Sequence, residues 1–163
     1  KKIKEELDHL GVEKVDGILF DLGFSSPQID DETRGFSFMR DGELDMRMDR
    51  RQKKSAYEVV NTYSESELVR IFFQYGEEKF SKSIAKAIVK NRPINKTMEL
   101  VSIIQNSVPK KYAITKHPER VIFQAIRIEV NEELDVLKDV LPIAIDFLNQ
   151  KGRICVITCE TIF

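Results

Sequence analysis

Nowhere in these 163 residues does an apolar run approach the roughly 20 positions a bilayer span requires; stretches such as Val140 to Ile145 stop at six. The basic start Lys1-Lys2-Ile3-Lys4 leads into acidic residues and not into an apolar signal core, so neither membrane insertion nor export is expected. Cysteine is limited to Cys155 and Cys159, four apart in one extended stretch, a separation too wide for a disulfide. They are expected as reduced thiols, which points to an intracellular, cytoplasmic setting, and without two further nearby ligands no zinc site is expected. The seven glycines contain no G-x-G, and a glycine-rich cofactor-cradling turn is absent. Charge of one sign is missing as well, since 26 Lys and Arg face 27 Asp and Glu.

That balance conceals a partition. Residues 1–49 hold 7 basic and 13 acidic side chains, residues 50–127 hold 16 and 7, and residues 128–163 hold 3 and 7. A basic middle between acidic flanks is the electrostatic footprint of a polyanion-binding module, because lysine and arginine that neutralise phosphates release counterions. Solvated helix faces are the alternative on charge alone.

Val15 to Gly23 is a short apolar run closed by Asp21 and Gly23, the pattern of a strand buried on both faces and ending in a functional loop. Residues 25–49 show no sustained period and are expected as a long loop. Helices follow. Ser64 with Glu67 forms a capping box for a helix ending at Gly76. Residues 78–90 make an amphipathic helix with a basic exterior at Lys79, Lys82, Lys86 and Lys90. Thr97 is expected to cap a third helix stopped by Pro109, Pro118 to open a fourth, and Asn131 to start a fifth that contains Pro142. Arg153 to Thr158 reads as a second buried strand.

Two strands separated by about 130 mostly helical residues far exceed a simple crossover. The expected fold is therefore α/β, with both strands adjacent in a parallel sheet and an all-helical domain inserted between them. The boundaries expected are residues 1–39 and 116–163 for the two parts of the sheet domain and 40–115 for the insertion. In a parallel α/β sheet, ligands sit beyond the carboxyl ends of the strands. Asp21 there can accept from an amine, Gly23 lets backbone approach, Phe24 could stack on a base, and Gln28 both donates and accepts. An ordinary turn capped by Asp21 is the bland reading.

The string from Asp16 to Asp49, DGILFDLGFSSPQIDDETRGFSFMRDGELDMRMD, resembles the signature of the ribosomal RNA small-subunit cytosine-N4 methyltransferases, the RsmH or MraW family. Tyr75-Gly76-Glu77-Glu78-Lys79-Phe80, Arg92-Pro93, His117-Pro118 and Phe123-Gln124-Ala125-Ile126-Arg127-Ile128 are similar to later family motifs in the same order. The resemblance implies a partial Rossmann-like methyltransferase sheet with an inserted helical substrate-recognition domain. It also implies S-adenosyl-L-methionine as cofactor and methylation of the N4 amine of a cytidine in small-subunit ribosomal RNA. Within the motif Asp21 and Gln28 would contact the cofactor, and no catalytic base is assigned.

The amine of cytosine is a weak nucleophile, its lone pair delocalised into the ring, so placement and proton acceptance must carry the chemistry. RNA candidates are Phe24, Arg34 and Arg47 beside the cofactor loop, and Lys110, Lys111 and Lys116, expected in a loop leaving the basic module. Arg34, Arg40 and Arg47 could equally salt-bridge Asp31, Asp41 and Asp45. His117 is expected at a helix start and not as a general base. The family's glycine-rich turn and acidic ribose ligand have no counterpart here, so the chain is expected to hold only part of the cofactor site and to be incomplete for catalysis alone. The alternative is a non-catalytic RNA-binding remnant. Oligomeric state is left open, a dimer included.

Overall fold

The computed structural model describes residues 3–23 and 25–158, apart from the Ser26 side chain. In chain order the elements are α1 (Ile3–His9), β1 (Val15–Leu22), α2 (Ser26–Asp30), a 3-10 turn (Glu32–Arg34), α3 (Ala56–Thr62), α4 (Glu65–Gln74), α5 (Ser81–Lys90), α6 (Thr97–Asn106), α7 (Lys110–Lys116), α8 (Pro118–Asn131), α9 (Glu133–Asp146) and β2 (Leu148–Thr158). They fall into two compact units, the described residues of Lys1–Gly23 with Glu132–Phe163, and those of Phe24–Asn131.

The first unit is mixed α/β. Its strands β1 and β2 pair in parallel; Val15 meets Leu148, the register then shifts, and residues 17–22 run against 153–158. Lys151, at φ 72°, lies in the shifted stretch. Helix α9 packs on β2, and α1 on α9. Pro142 sits inside α9 without dividing it. The expectation that β1 is buried on both faces does not hold among the described residues. Ile18, Phe20 and Leu22 are half-buried, whereas Leu19 is 62 % exposed. Among the described residues β1 pairs with β2 alone, and its positions alternate between half-buried and exposed from Ile18 to Leu22.

The second unit is helical, and its core is dense because each amphipathic helix turns its apolar stripe inward. Leu68, Ile71 and Phe72 of α4, Ile84 and Ile88 of α5, and Leu100 and Ile104 of α6 are fully buried together with Ile122 and Ile126 of α8. The boundary expected at residue 116 puts α8 with the sheet domain, whereas α8 packs on α3, α4 and α6 within the helical unit. Two expected helix starts also differ. Lys96, not Thr97, is the N-cap of α6; the Glu99 carboxylate accepts from the Asn95 and Lys96 amides at 2.8 and 3.2 Å. The Thr97 hydroxyl is thereby freed to donate to Arg40 O at 2.8 Å and accept from Gly42 N at 2.9 Å. Asn131 ends α8 and does not begin α9, whose N-cap is Glu132.

The expected structureless stretch 25–49 is ordered. It contains α2 and the 3-10 turn, and it buries Phe36, Leu44 and Met46 in the helical core. Phe38 lies edge-on to Phe123, with ring centroids 6.1 Å apart. Asn131 clasps the segment, donating to Met46 O at 2.8 Å and accepting from Met48 N at 2.7 Å. Gly35, at φ 65°, passes so close to this fold that a Cβ would sit 2.0 Å from Glu43 O. Long-range contacts, invisible as periodicity, order the loop.

Candidate functional site

Parallel pairing sets Asp21 opposite Ile157 and Leu22 opposite Thr158, so both strands of the first unit end at one edge. The Asp21 carboxylate stands exposed at that edge and makes no hydrogen bond or ion pair among the described residues. Gly23 follows at φ 127°, a conformation side chains rarely adopt, with nothing within 4 Å of a Cβ built there. The strand edge thus presents an exposed carboxylate beside open backbone. Phe24 lies outside the described residues, as does Cys159.

Gln28 belongs to the second unit. Its Oε1 accepts from Ser25 N at 2.9 Å, closing the first turn of α2, while its amide NH2 has no partner among the described residues and remains a donor. This division of labour suits a group that must be both held and available.

The arginines are engaged in contacts within the second unit. Arg34 Nη2 donates to Arg47 O at 2.7 Å and Met48 O at 3.3 Å, and its guanidinium lies 5.7 Å from the Phe36 ring centre. Arg47 pairs with Asp45 at 2.5 Å and donates to Gln52 O at 2.8 Å. The Asp45 hydrogen bond raises the Arg47 pKa further. Of the expected ion pairs, Arg47 with Asp45 forms, whereas Arg40 pairs with Asp30 at 3.4 Å. Asp31 instead accepts from Thr33, whose hydroxyl holds its carboxyl below the usual range.

A groove of about 340 Å³, not anticipated from the sequence, lies beside Arg47 and is lined among others by Glu43, Tyr57, Asn95 and Lys96. Its wall includes Glu58, which accepts from Ser55 N at 2.8 Å and from the Ser55 hydroxyl. Burial pushes that carboxyl up, but the Ser55 hydrogen bonds prevail and its pKa is lowered. The Ser55-to-Glu58 spacing is a capping box legible in the sequence, and it starts the unforeseen α3.

Lys110, Lys111 and Lys116 lie on a helix, α7, and not in a loop. Pro109 is its N-cap and buried Ala113 its anchor, which leaves the three lysines exposed, with no ion pair among the described residues. Between them, Tyr112 donates to both carboxylate oxygens of buried Glu78 at 3.1 Å, and Lys79 Nζ sits 4.5 Å from the Tyr112 ring centre. Burial, then the Glu78 charge, push the Tyr112 hydroxyl up to about 12. His117 closes α7 as its left-handed C-cap and stands directly before α8, at the helix start expected for it, with its carbonyl accepting from Arg120 N at 3.0 Å and Nδ1 3.1 Å from Glu119. Cys155 is an exposed free thiol. Among the described residues no helix is long and apolar enough to cross a membrane.

A sequence model of the MraW methylase family matches residues 1–162. The ribosomal RNA small subunit methyltransferase H of Finegoldia magna is 51 % identical over 167 residues, covering 99 % of this chain and 54 % of its own length. That of Mycoplasma mycoides is 56 % identical over 149 residues, covering 91 % and 48 %, and that of Clostridioides difficile 52 % identical over 166 residues, covering 99 % and 53 %. The chain spans about half the length of the curated relatives it matches.

Proposed function

Because the chain belongs to the MraW methylase family, we propose that it forms part of an S-adenosyl-L-methionine-dependent enzyme that methylates the N4 amine of a cytidine in small-subunit ribosomal RNA. The observation carrying this reading is the family match along residues 1–162 together with the unpartnered Asp21 carboxylate at the strand edge. In the proposed architecture the two strands belong to a Rossmann-like sheet, and the inserted substrate-recognition domain, residues 40–115, lies within the helical unit. The proposed setting is the cytoplasm.

The cofactor supplies an electrophilic sulfonium methyl group. Asp21 would accept from its donors, as a carboxylate offers two oxygens and no proton, and the Gln28 amide would donate. Phe24 remains the proposed stacking partner for the base. The chain's part in catalysis is placement: the cytosine amine must present its lone pair in line, and no side chain of the described residues is assigned as base. Lys110, Lys111 and Lys116 would hold RNA phosphates as exposed point charges. Arg34 and Arg47 enter as the groups that shape the segment next to the RNA, since Arg34 Nη2 already donates to backbone carbonyls and Arg47 to Asp45 and Gln52 O.

The test replaces the matching span of the Finegoldia magna relative with this chain and titrates S-adenosyl-L-methionine by calorimetry. Asp21→Ala is expected to weaken binding roughly 10- to 100-fold, the worth of a charge-assisted hydrogen bond. Equal affinity of the two proteins would remove Asp21 from the cofactor site.

A further inference from the structure

Helix α5 is the element whose chemistry the function above does not use. Lys82, Lys86 and Lys90 recur every four residues along it, and all three are exposed. None is in an ion pair among the described residues, and α5 contains no acidic residue. The helix is held by the opposite face, where Ile84, Ala85 and Ile88 are buried. At 1.5 Å rise per residue the three ammonium stems are spaced about 6 Å apart along the axis, over about 12 Å in all. Successive phosphates of one nucleic-acid strand lie at comparable separations.

The row does not end with the helix. Just before α5, Lys79 Nζ lies 5.2 Å from the Phe80 ring centre and 4.5 Å from that of Tyr112, and Phe80 and Tyr112 meet edge-on with centroids 4.7 Å apart. Those contacts bring the segment that enters α5 against α7, which carries Lys110, Lys111 and Lys116. We infer that Lys82, Lys86 and Lys90 form a phosphate-tracking ridge that grips one strand of the RNA, extending the footprint beyond α7. This rests on the RNA reading above. The occupant is RNA and not an anionic membrane, because the exposed α5 face carries Lys82, Ser83, Lys86 and Lys90 and offers no large apolar side chain to insert into lipid.

The experiment measures affinity of the full chain for transcribed small-subunit ribosomal RNA as a function of salt. Each phosphate contact contributes about 0.7 to 0.9 to the slope of log K against log salt. Lys82→Gln/Lys86→Gln/Lys90→Gln is expected to flatten the slope by about two to three units, and Lys86→Gln alone by about one. A control triple away from the ridge, Lys4→Gln/Lys53→Gln/Lys138→Gln, removes the same charge and is expected to change it by less than about one unit. Glutamine keeps helix propensity near that of lysine, and circular dichroism checks the fold. An unchanged slope in the ridge variants, or equal flattening in the control, overturns the ridge while leaving the RNA reading intact. A wild-type chain that binds no RNA removes that reading and the ridge with it. Ridge-dependent binding to phosphatidylglycerol vesicles, with RNA binding insensitive to the ridge, assigns the face to lipid and overturns the inference.

Discussion

The helical and sheet units solve the burial problem differently. Among the described residues, Ala144 is the single buried apolar residue of the sheet unit, while the helical unit contains every other member of the core. In the sheet unit, Leu19, Ile145, Val156 and Ile157 are all more than two-fifths exposed. A helix hides its apolar stripe against neighbouring helices, while among the described residues the two parallel strands have each other and α9 as neighbours. The described core residues of the helical unit are sealed against one another, whereas several apolar residues in the sheet unit stand open.

Core truncation should show that difference most sharply. Phe72→Ala, in the helical core, is expected to cost about 3–5 kcal/mol in urea unfolding, against less than about 1 kcal/mol for Leu19→Ala. Similar losses at both positions would break the contrast. Asn131→Ala should cost about 2 kcal/mol, since it strips partners from Met46 O and Met48 N, and hydrogen exchange should rise over residues 34–52. Ser64→Ala removes the cap of α4 and is expected to cost about 1 kcal/mol by the same denaturation.

The smallest effect is a titration. The Arg51 side chain holds the exposed Asp49 carboxyl down to about 2. Its folded value lies below its ordinary one, so the pair's contribution is present above the ordinary value and lost as pH falls through about 2. Arg51→Gln should move the Asp49 midpoint, followed by NMR, up toward the ordinary carboxylate range, the residue 51 backbone amide still holding it partly down.

Periodicity made α4, α5, α6 and α8 readable, as their apolar residues recur at helical spacing over ten or more positions. It failed for α2, α3 and α7, at five to seven residues, where one or two anchors such as Ala113 stand in for a stripe. Ser55 and Glu58 carried a usable signal for α3 that the sequence reading passed over. Asp21 could be singled out because strand ends in parallel sheets face ligands, a rule that needs only position. The partners of Arg34 and Asn131 could not, because each bond spans more than ten residues of chain.

Whether this chain serves methyl transfer is read most directly by mass spectrometry of small-subunit ribosomal RNA incubated with S-adenosyl-L-methionine and the Finegoldia magna protein carrying this sequence. N4-methylcytidine should accumulate with the unaltered chain and fall to background with Asp21→Ala. A folded, RNA-binding protein that leaves cytidine unmethylated, or an alanine variant as active as its parent, would contradict the account.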